Sequence, residues 1–177
     1  MATATKWAVD PMHPEVQFKV KHLVISTVSG FFKSFAGTIE TDSEDFDNAK
    51  AEFSLDINSI DTTQPQRDEH LKSPEFFDAE KYPKITFKST SFTKTGGDYE
   101  LKGDLTIKDV TKPVTLAVEY GGSAADFYGN TKAGFEITGK INRKDFGLTW
   151  DGITEAGSIV VGEDIKLTIN AQFTKQA

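Results

Sequence analysis

The sequence has no cysteine, only two arginines and no long apolar run. Without cysteine, the chain has no disulfide framework, no thiolate zinc site and no cysteine nucleophile. No apolar stretch approaches the roughly 20 residues that a membrane-spanning helix needs, so we predict no integral membrane segment. The 177 residues suffice for one hydrophobic core. Because no linker or internal repeat interrupts them, one domain over residues 1–177 is predicted.

Basic residues are fewer than acidic ones, which gives a net charge of −7. The acidic residues are spread along the whole chain, so nucleic acid and anionic membrane surfaces are disfavoured as partners. The opening residues MATATKW lack the charged and apolar regions of an export signal. We therefore expect a cytoplasmic protein. A periplasmic location is the alternative if a leader was removed.

Sequence motifs of the common enzyme and metal sites are also missing. The chain has no HExxH, no GxSxG, no P-loop and no dinucleotide-binding fingerprint. His13, His22 and His70 are too far apart in sequence for any recognised zinc spacing. We predict no metal, no cofactor and no enzymatic activity.

Most of the chain alternates apolar and polar residues with a period of two, which is typical of strands with one buried face. Residues 49–57 are the cleanest case, with Phe53 and Leu55 on the apolar face. Eight such segments, joined mainly by short turns, predict an all-β fold. It is an eight-stranded antiparallel up-and-down lipocalin-like barrel with a short helical insertion between strands. Gly30 and Gly37 are predicted to mark bends or bulges in one strand.

The insertion covers residues 60–78 and is the one long interruption of the strand pattern. Thr63 and Gln66 have the spacing of a capping box, and Pro65 falls in the first helical turn. Ser73 followed by a proline repeats the helix-start signal. These signals predict two short helical pieces in succession, lying across the mouth of the barrel.

Phenylalanine is abundant, with fourteen residues against four tyrosines and two tryptophans. Phenylalanine buries a large area and requires no hydrogen bond. A barrel of eight strands is wide enough either to be filled by side chains or to hold one small ligand. The composition fits a filled core and an apolar cavity equally well, and both interpretations stay open.

If a cavity is present, apolar residues from the inward faces and the two long loops are the predicted ligand contacts. They are Phe18, Val20, Phe35, Phe53, Leu55, Phe76, Phe77, Phe87, Leu101, Leu105, Leu116, Phe135, Ile137, Phe146, Trp150 and Leu167. Polar residues in the same loops are predicted to hold a ligand head group or to clamp the loops. They are Asp61, Arg67, Asp68, His70, Arg143 and Asp145.

The two arginines each lie beside a carboxylate in one of the two long non-strand segments. Arginine offers a planar fork of donors that lysine lacks. This placement therefore indicates a role that depends on the geometry of its hydrogen bonds. In one interpretation each arginine ties its loop to the barrel through a carboxylate or backbone carbonyls, for example Arg67 through Asp61. In the other, Arg67 binds the polar end of a ligand. The aromatics of both segments, 60–78 and 142–162, are predicted to form a lid over the cavity mouth.

Several motifs in order resemble the YceI-like polyisoprenoid-binding proteins over nearly the whole chain. The residues that carry the resemblance are Trp7-x-Val9-Asp10-x-x-His13, Phe18-x-Val20-x-His22, Ser59-Ile60-Asp61-Thr62, Arg67-Asp68-x-His70-Leu71-x-Ser73-x-x-Phe76-Phe77-Asp78, Tyr82-Pro83-x-Ile85-x-Phe87-x-Ser89-Thr90, Gly103-Asp104-Leu105-Thr106-Ile107, Thr111-Lys112-Pro113-Val114, Asn142-Arg143-Lys144-Asp145-Phe146-Gly147 and Val161-Gly162. The sequence departs from the family pattern at Pro14 and at Asp109.

The resemblance implies a lipocalin-like barrel whose interior holds a long isoprenoid lipid, such as a polyprenol or a quinone. It also suggests a homodimer. The leading hypothesis is therefore a protein that binds, sequesters or transports such a lipid without catalysis. One alternative is a lipid-modifying enzyme that uses Asp61, Arg67 and His70 for proton transfer. The other is a filled barrel that acts as a protein-interaction module.

Overall fold

A computed structural model describes residues 5–10, 15–22, 26–42, 46–74, 76–148 and 161–176. This part of the chain consists of antiparallel strands, one α-helix and two short 3₁₀ helices. The strands are β1 Thr5–Val9, β2 Glu15–His22, β3 Ser26–Phe32, β4 Phe35–Thr41, β5 Lys50–Asp56, β6 Ile60–Asp61, β7 Lys84–Thr95, β8 Asp98–Ile107, β9 Val110–Ala125, β10 Thr131–Asn142 and β11 Val161–Lys175. The helix α1 is Pro65–Lys72, and the 3₁₀ helices are Ile57–Ser59 and Arg143–Phe146.

The strands form one closed sheet. Strand β11 pairs with β2 through residues 161–170 and with β1 through residues 173–175, so β1 and β2 occupy one strand position. In the same way, β3 and β4 continue one another, as do β5 and β6. With β7, β8, β9, β10 and β11 these give eight positions, each paired with the next. The predicted eight-stranded antiparallel barrel is confirmed.

The alternation in the sequence becomes the inward and outward faces of the wall. In β8, Tyr99, Leu101, Gly103, Leu105 and Ile107 are buried, and the residues that alternate with them are exposed or half-buried. Successive side chains of a strand point to opposite faces, so a single register places every apolar residue of β8 inside the barrel. The preceding turn contains Gly96, whose φ of 68° suits a glycine.

Aromatic rings fill one half of the barrel. Phe46 comes from the connection between β4 and β5, and its ring centroid lies 4.9 Å from that of Phe135 and 5.4 Å from that of Trp7. The backbone N–H of Phe46 donates a hydrogen bond of 3.2 Å to the hydroxyl of Tyr99. Edge-to-face ring pairs such as Phe46 with Phe135 are favourable beyond the area they bury. This filled half consists of Trp7, Phe46, Phe92, Tyr99, Leu101, Val118, Tyr120, Phe135, Ile137 and Phe173.

The insertion differs from the sequence prediction in two respects. It contains one helix, α1, and Ser73 is the C-cap of that helix instead of the start of a second one. Gln64 is the N-cap residue and makes no side-chain capping bond, whereas Thr63 has a left-handed φ of 68°. The predicted capping box and second helix are therefore wrong, because Thr63 bonds to Asp61 and Thr62 before the helix, and Ser73 closes the last turn of α1 by bonding to the His70 carbonyl. Pro65 does begin the helix. Within the described residues, no helix is long and apolar enough to cross a membrane.

Tyr99→Phe tests the contact that holds Phe46 in the filled half. The substitution removes the acceptor of a buried N–H group, which costs about 1 to 3 kcal/mol. Urea unfolding should show that loss in the free energy of unfolding. Tyr128→Phe is the matched control, because Tyr128 is 89% exposed and its change should stay within about 0.5 kcal/mol. Equal stabilities of the two variants would contradict the proposed role of the Tyr99 hydroxyl.

Candidate functional site

The other half of the barrel encloses a cavity of about 130 Å³. Its wall is apolar apart from Ser54, Thr86 and Arg143. Several strands run through both halves. One end of such a strand lines the cavity, and the other end contributes to the filled half. In β11, for example, Ile165, Leu167 and Ile169 line the cavity, whereas Phe173 belongs to the filled half. The structure thus combines both interpretations of the phenylalanine content: one half is filled and the other is hollow.

Most of the predicted ligand contacts lie on the cavity wall. They are Phe18, Val20, Phe35, Phe53, Leu55, Phe76, Phe77, Phe87, Leu105, Leu116 and Leu167. Leu101, Phe135 and Ile137 lie in the filled half instead, because alternation fixes the face of a residue but not its height along the barrel. Phe146 is buried in the 3₁₀ helix that follows β10 and does not line the cavity. Trp150 lies outside the described residues.

Sequence reasoning missed several residues of the wall. They are Val16, Phe32, Leu71, Ile85, Ile107, Val114, Ile141, Leu148, Ile165 and Ile169. For most of them the sequence did carry a signal. They lie two positions from a predicted residue on the same strand and therefore face the same side of the sheet, as Val16 does with Phe18. Leu71 and Leu148 carried no such signal, since their positions depend on how the insertion and the segment after β10 fold over the barrel.

The insertion covers the cavity with three side chains, Leu71, Phe76 and Phe77. The Phe77 ring lies edge-on to Phe32 of β3, with the centroids 6.3 Å apart. Phe77 also donates its backbone N–H to the carbonyl of Leu71 at 3.0 Å, so the chain turns back against α1. The ring of His70 lies 5.1 Å from that of Phe76. The insertion therefore forms part of the cavity wall.

A buried threonine joins α1 to the barrel. Thr62 is 1% exposed, and both its N–H and its hydroxyl donate to Oδ1 of Asp68, at 2.9 Å and 2.5 Å. Arg67 donates from Nε to the Thr62 hydroxyl at 2.8 Å and from Nη2 to the Thr62 carbonyl at 2.7 Å. Bonds to charged groups are the stronger ones. Arg67 and Asp68 thus clamp the start of the insertion, as one sequence interpretation held.

Asp61 is not the partner that the sequence suggested for Arg67. Its carboxylate accepts from the Lys33 ammonium at 2.8 Å and from the Thr63 N–H at 2.8 Å. The hydrogen bond from Lys33, followed by that from Thr63, lowers the pKa of Asp61 below its ordinary value. The same bond raises the pKa of Lys33. This pair joins the residue after β3, Lys33, to the start of the insertion at the surface.

Arg143 clamps the second loop segment from inside. It is 1% exposed and donates from Nε to the Gly162 carbonyl at 2.7 Å and from Nη1 to the Leu148 carbonyl at 2.6 Å. Backbone carbonyls are thus among its partners, as the first interpretation allowed. Arg143 is also the one charged side chain on the cavity wall within the described ranges. Its sequence neighbour Asp145 is exposed.

Asp61, Arg67 and His70, the proposed proton-transfer set, each contact residues outside that set. Asp61 contacts Lys33, and Arg67 contacts Thr62. His70 packs against Phe76. His13 lies outside the described residues. In the part of the chain that the structure covers, no three histidine, aspartate or glutamate side chains are grouped to hold a metal ion.

Together, the closed barrel and the apolar cavity at one end define a lipocalin-like binding fold. The YceI-like domain family matches residues 7–173 of the chain. Protein YceI of Salmonella newport (strain SL254) is 41% identical over 177 residues, which cover 99% of this chain and 90% of the relative. The chain belongs to the YceI-like family.

Two solved structures share the fold at low sequence identity. The crystal structure of Burkholderia cenocepacia BcnA superimposes with a TM-score of 0.80 at 22% identity, over 93% of this chain and 98% of that one. A polyisoprenoid binding domain from Saccharophagus degradans, implicated in plant cell wall breakdown, superimposes with a TM-score of 0.67 at 13% identity, over 96% and 98% of the two chains.

Thr62→Val tests the clamp on the insertion. Valine keeps the shape of threonine but removes the hydroxyl that Arg67 and Asp68 share, so we expect a loss of about 1 to 3 kcal/mol in the free energy of unfolding. Thr62→Ser, which keeps the hydroxyl, should lose less than Thr62→Val. Urea unfolding measures both, and hydrogen exchange should show faster exchange in α1 of the valine variant. A serine variant less stable than the valine variant would show that packing of the methyl group matters more than the clamp.

Proposed function

We propose that the hollow half of the barrel binds a long-chain isoprenoid lipid, such as a polyprenol or a quinone, and that the protein sequesters or carries it without catalysis. The observation that carries the proposal is an internal cavity whose wall is almost entirely apolar. Burying a hydrocarbon chain against such a wall is favourable by about 0.8 kcal/mol per CH₂. Membership of the YceI-like family supports the same ligand class.

The size of the cavity requires the wall to move when such a ligand binds. A volume of about 130 Å³ is similar to that of cavities that accept one benzene ring, roughly 150 Å³. A long chain needs several times that space. The strands are paired with neighbours on both sides of the closed sheet, whereas Leu71, Phe76 and Phe77 belong to the insertion. We therefore propose that the insertion opens to admit the lipid.

The backbone at both ends of the insertion supports this motion. Thr63 precedes α1 with a φ of 68°, and Asp78 follows Phe77 with a φ of 52°. A left-handed conformation is unfavourable for residues other than glycine, particularly for a β-branched one. The closed position of the insertion thus holds one β-branched residue, Thr63, in a strained conformation, and we propose that opening relieves this strain. The Thr62 clamp opposes that release.

The polar end of the lipid would lie towards Arg143. A guanidinium is a strong donor to hydroxyl, carbonyl and phosphate oxygens. Arg143 is the charged side chain on the described part of the wall, and the remainder is apolar except for Ser54 and Thr86. This orientation would leave the hydrocarbon against the phenylalanine rings.

The first experiment is organic extraction of protein purified from its source cells, followed by mass spectrometry. We expect a prenyl lipid in stoichiometric amounts. Protein stripped of lipid should take up an added polyprenol or quinone. Failure to recover any lipid, together with failure to bind either compound, would overturn the proposal. Steady conversion of a bound lipid into product would overturn the absence of catalysis.

Phe76→Ala tests the insertion as a lid. Truncation removes a buried ring from the cavity cover, and its loss of apolar contact should speed lipid release about tenfold or more. Phe127→Ala is the matched control, because Phe127 is fully exposed and belongs to the turn between β9 and β10. Stopped-flow transfer of a fluorescent polyprenol to acceptor vesicles measures both rates. Identical release from Phe76→Ala and the unaltered protein would remove the insertion from the exchange route.

A cytoplasmic location and a homodimer both remain predictions. Fractionation of the source cells tests the first, and recovery of the protein from the periplasm would support the alternative. Analytical ultracentrifugation tests the second, and a single monomeric species at micromolar concentration would contradict it.

A further inference from the structure

Four inward-facing glycines are each covered by a large side chain of the neighbouring strand. A Cβ built at any of them would lie 2.2 to 2.5 Å from an atom of that side chain, a separation that real Cβ atoms do not show. No side chain larger than hydrogen therefore fits while the covering group stays in place. The pairs are Gly30 with Phe18, Gly37 with Phe53, Gly103 with Phe87, and Gly139 with Leu116.

All four covering side chains line the cavity. They come from β2, β5, β7 and β9, and the glycines come from β3, β4, β8 and β10. The pairs are thus distributed around the barrel. Each covering group lies over its glycine and occupies the space that a Cβ would take on the wall. Gly30 and Gly37 cause no shift of register with the strands of their covering rings, so they do not form the bulges that the sequence suggested.

We propose that these four glycines set the width of the cavity and thereby select the cross-section of the lipid chain. Alanine at such a position would push the covering side chain towards the axis and narrow the bore. This inference rests on the proposed lipid-binding function and adds a determinant of specificity to it. The residues that determine the specificity are glycines, which act through the position of the covering side chain and not through a side-chain contact of their own with the ligand.

The chemistry of the ligand makes the width important. An isoprenoid carries a methyl branch at regular intervals, so its cross-section is larger than that of a straight alkyl chain. A narrow bore would exclude the branched chain before the straight one, because packed interiors do not absorb an added methyl group without strain. The glycines would therefore favour methyl-branched chains over straight ones of the same length.

Gly139 offers the cleanest test of the four. The atom that a Cβ there would meet is Cδ2 of Leu116, at the end of a flexible side chain, and the nearest backbone atom is the Thr115 oxygen at 4.0 Å. At Gly103, by contrast, the Cβ would also meet the Lys88 carbonyl oxygen at 2.5 Å, which would disturb the sheet itself. Gly134 is the matched control. It lies in the same strand, faces outwards, and has nothing within 4 Å of the position of its Cβ.

The experiment compares two alcohols with main chains of equal length, all-trans-geranylgeraniol and n-hexadecanol. Equilibrium dialysis of each radiolabelled alcohol gives dissociation constants for the unaltered protein, Gly139→Ala and Gly134→Ala. We expect Gly139→Ala to weaken geranylgeraniol binding about tenfold and hexadecanol binding less than about threefold. Gly134→Ala should change neither. The double variant Gly139→Ala with Leu116→Ala should recover geranylgeraniol binding, because it removes the side chain that was displaced.

The outcomes separate this inference from the proposed function. If the unaltered protein binds neither alcohol, or only hexadecanol, the isoprenoid proposal fails and the inference fails with it. If the unaltered protein binds geranylgeraniol and a folded Gly139→Ala loses both alcohols equally or neither, only the inference is overturned. A crystal structure of Gly139→Ala without ligand shows the position of the Leu116 side chain directly. Leu116 turned into the lumen supports the inference, and Leu116 in its present position overturns it.

Discussion

Closure of the sheet through β11 is the constraint on which the rest of the structure depends. This strand pairs with β10 along one edge and with both β2 and β1 along the other, so it joins the two ends of the meander. A closed sheet has no edge strand and a fixed interior, whose width follows from the number of strands. Every inward side chain must then either fill that interior or lie along its wall. The division of the barrel into a filled and a hollow half is the outcome.

The aromatic residues behave differently in the two halves. In the filled half they point at one another, and Phe46 lies within 6.3 Å of four other rings. In the hollow half Phe18 and Phe53 lie over glycines of the adjacent strand, which keeps the axis clear. Phe18 and Phe53 thus line the cavity at positions where the residue opposite on one neighbouring strand, Gly30 or Gly37, is a glycine.

The polar residues around the cavity mainly hold its cover in place. Arg67 and Asp68 converge on Thr62, and Arg143 joins two backbone carbonyls across the second loop segment. Arg143 is buried, and the backbone carbonyls that accept from its Nε and Nη1 help to offset the cost of placing a charged group inside a protein. The insertion is held in this way by a few bonds, and its β-branched residue Thr63 has a left-handed φ of 68°.

The sequence by itself determined the strands, the barrel and most of the inward faces, because the period-two alternation and the turn residues are local signals. It also indicated that the role of the two arginines depends on the geometry of their hydrogen bonds. Tertiary structure alone decided that Leu101 and Phe135 fill the barrel while Phe87 and Leu116 line a cavity, since height along the axis depends on register between strands. It likewise replaced the local capping role predicted for Thr63, and it chose Thr62 as the partner of Arg67. The Arg143 bond to the Gly162 carbonyl, 19 residues away, depends on how the chain folds back onto β11, and no local pattern encodes that.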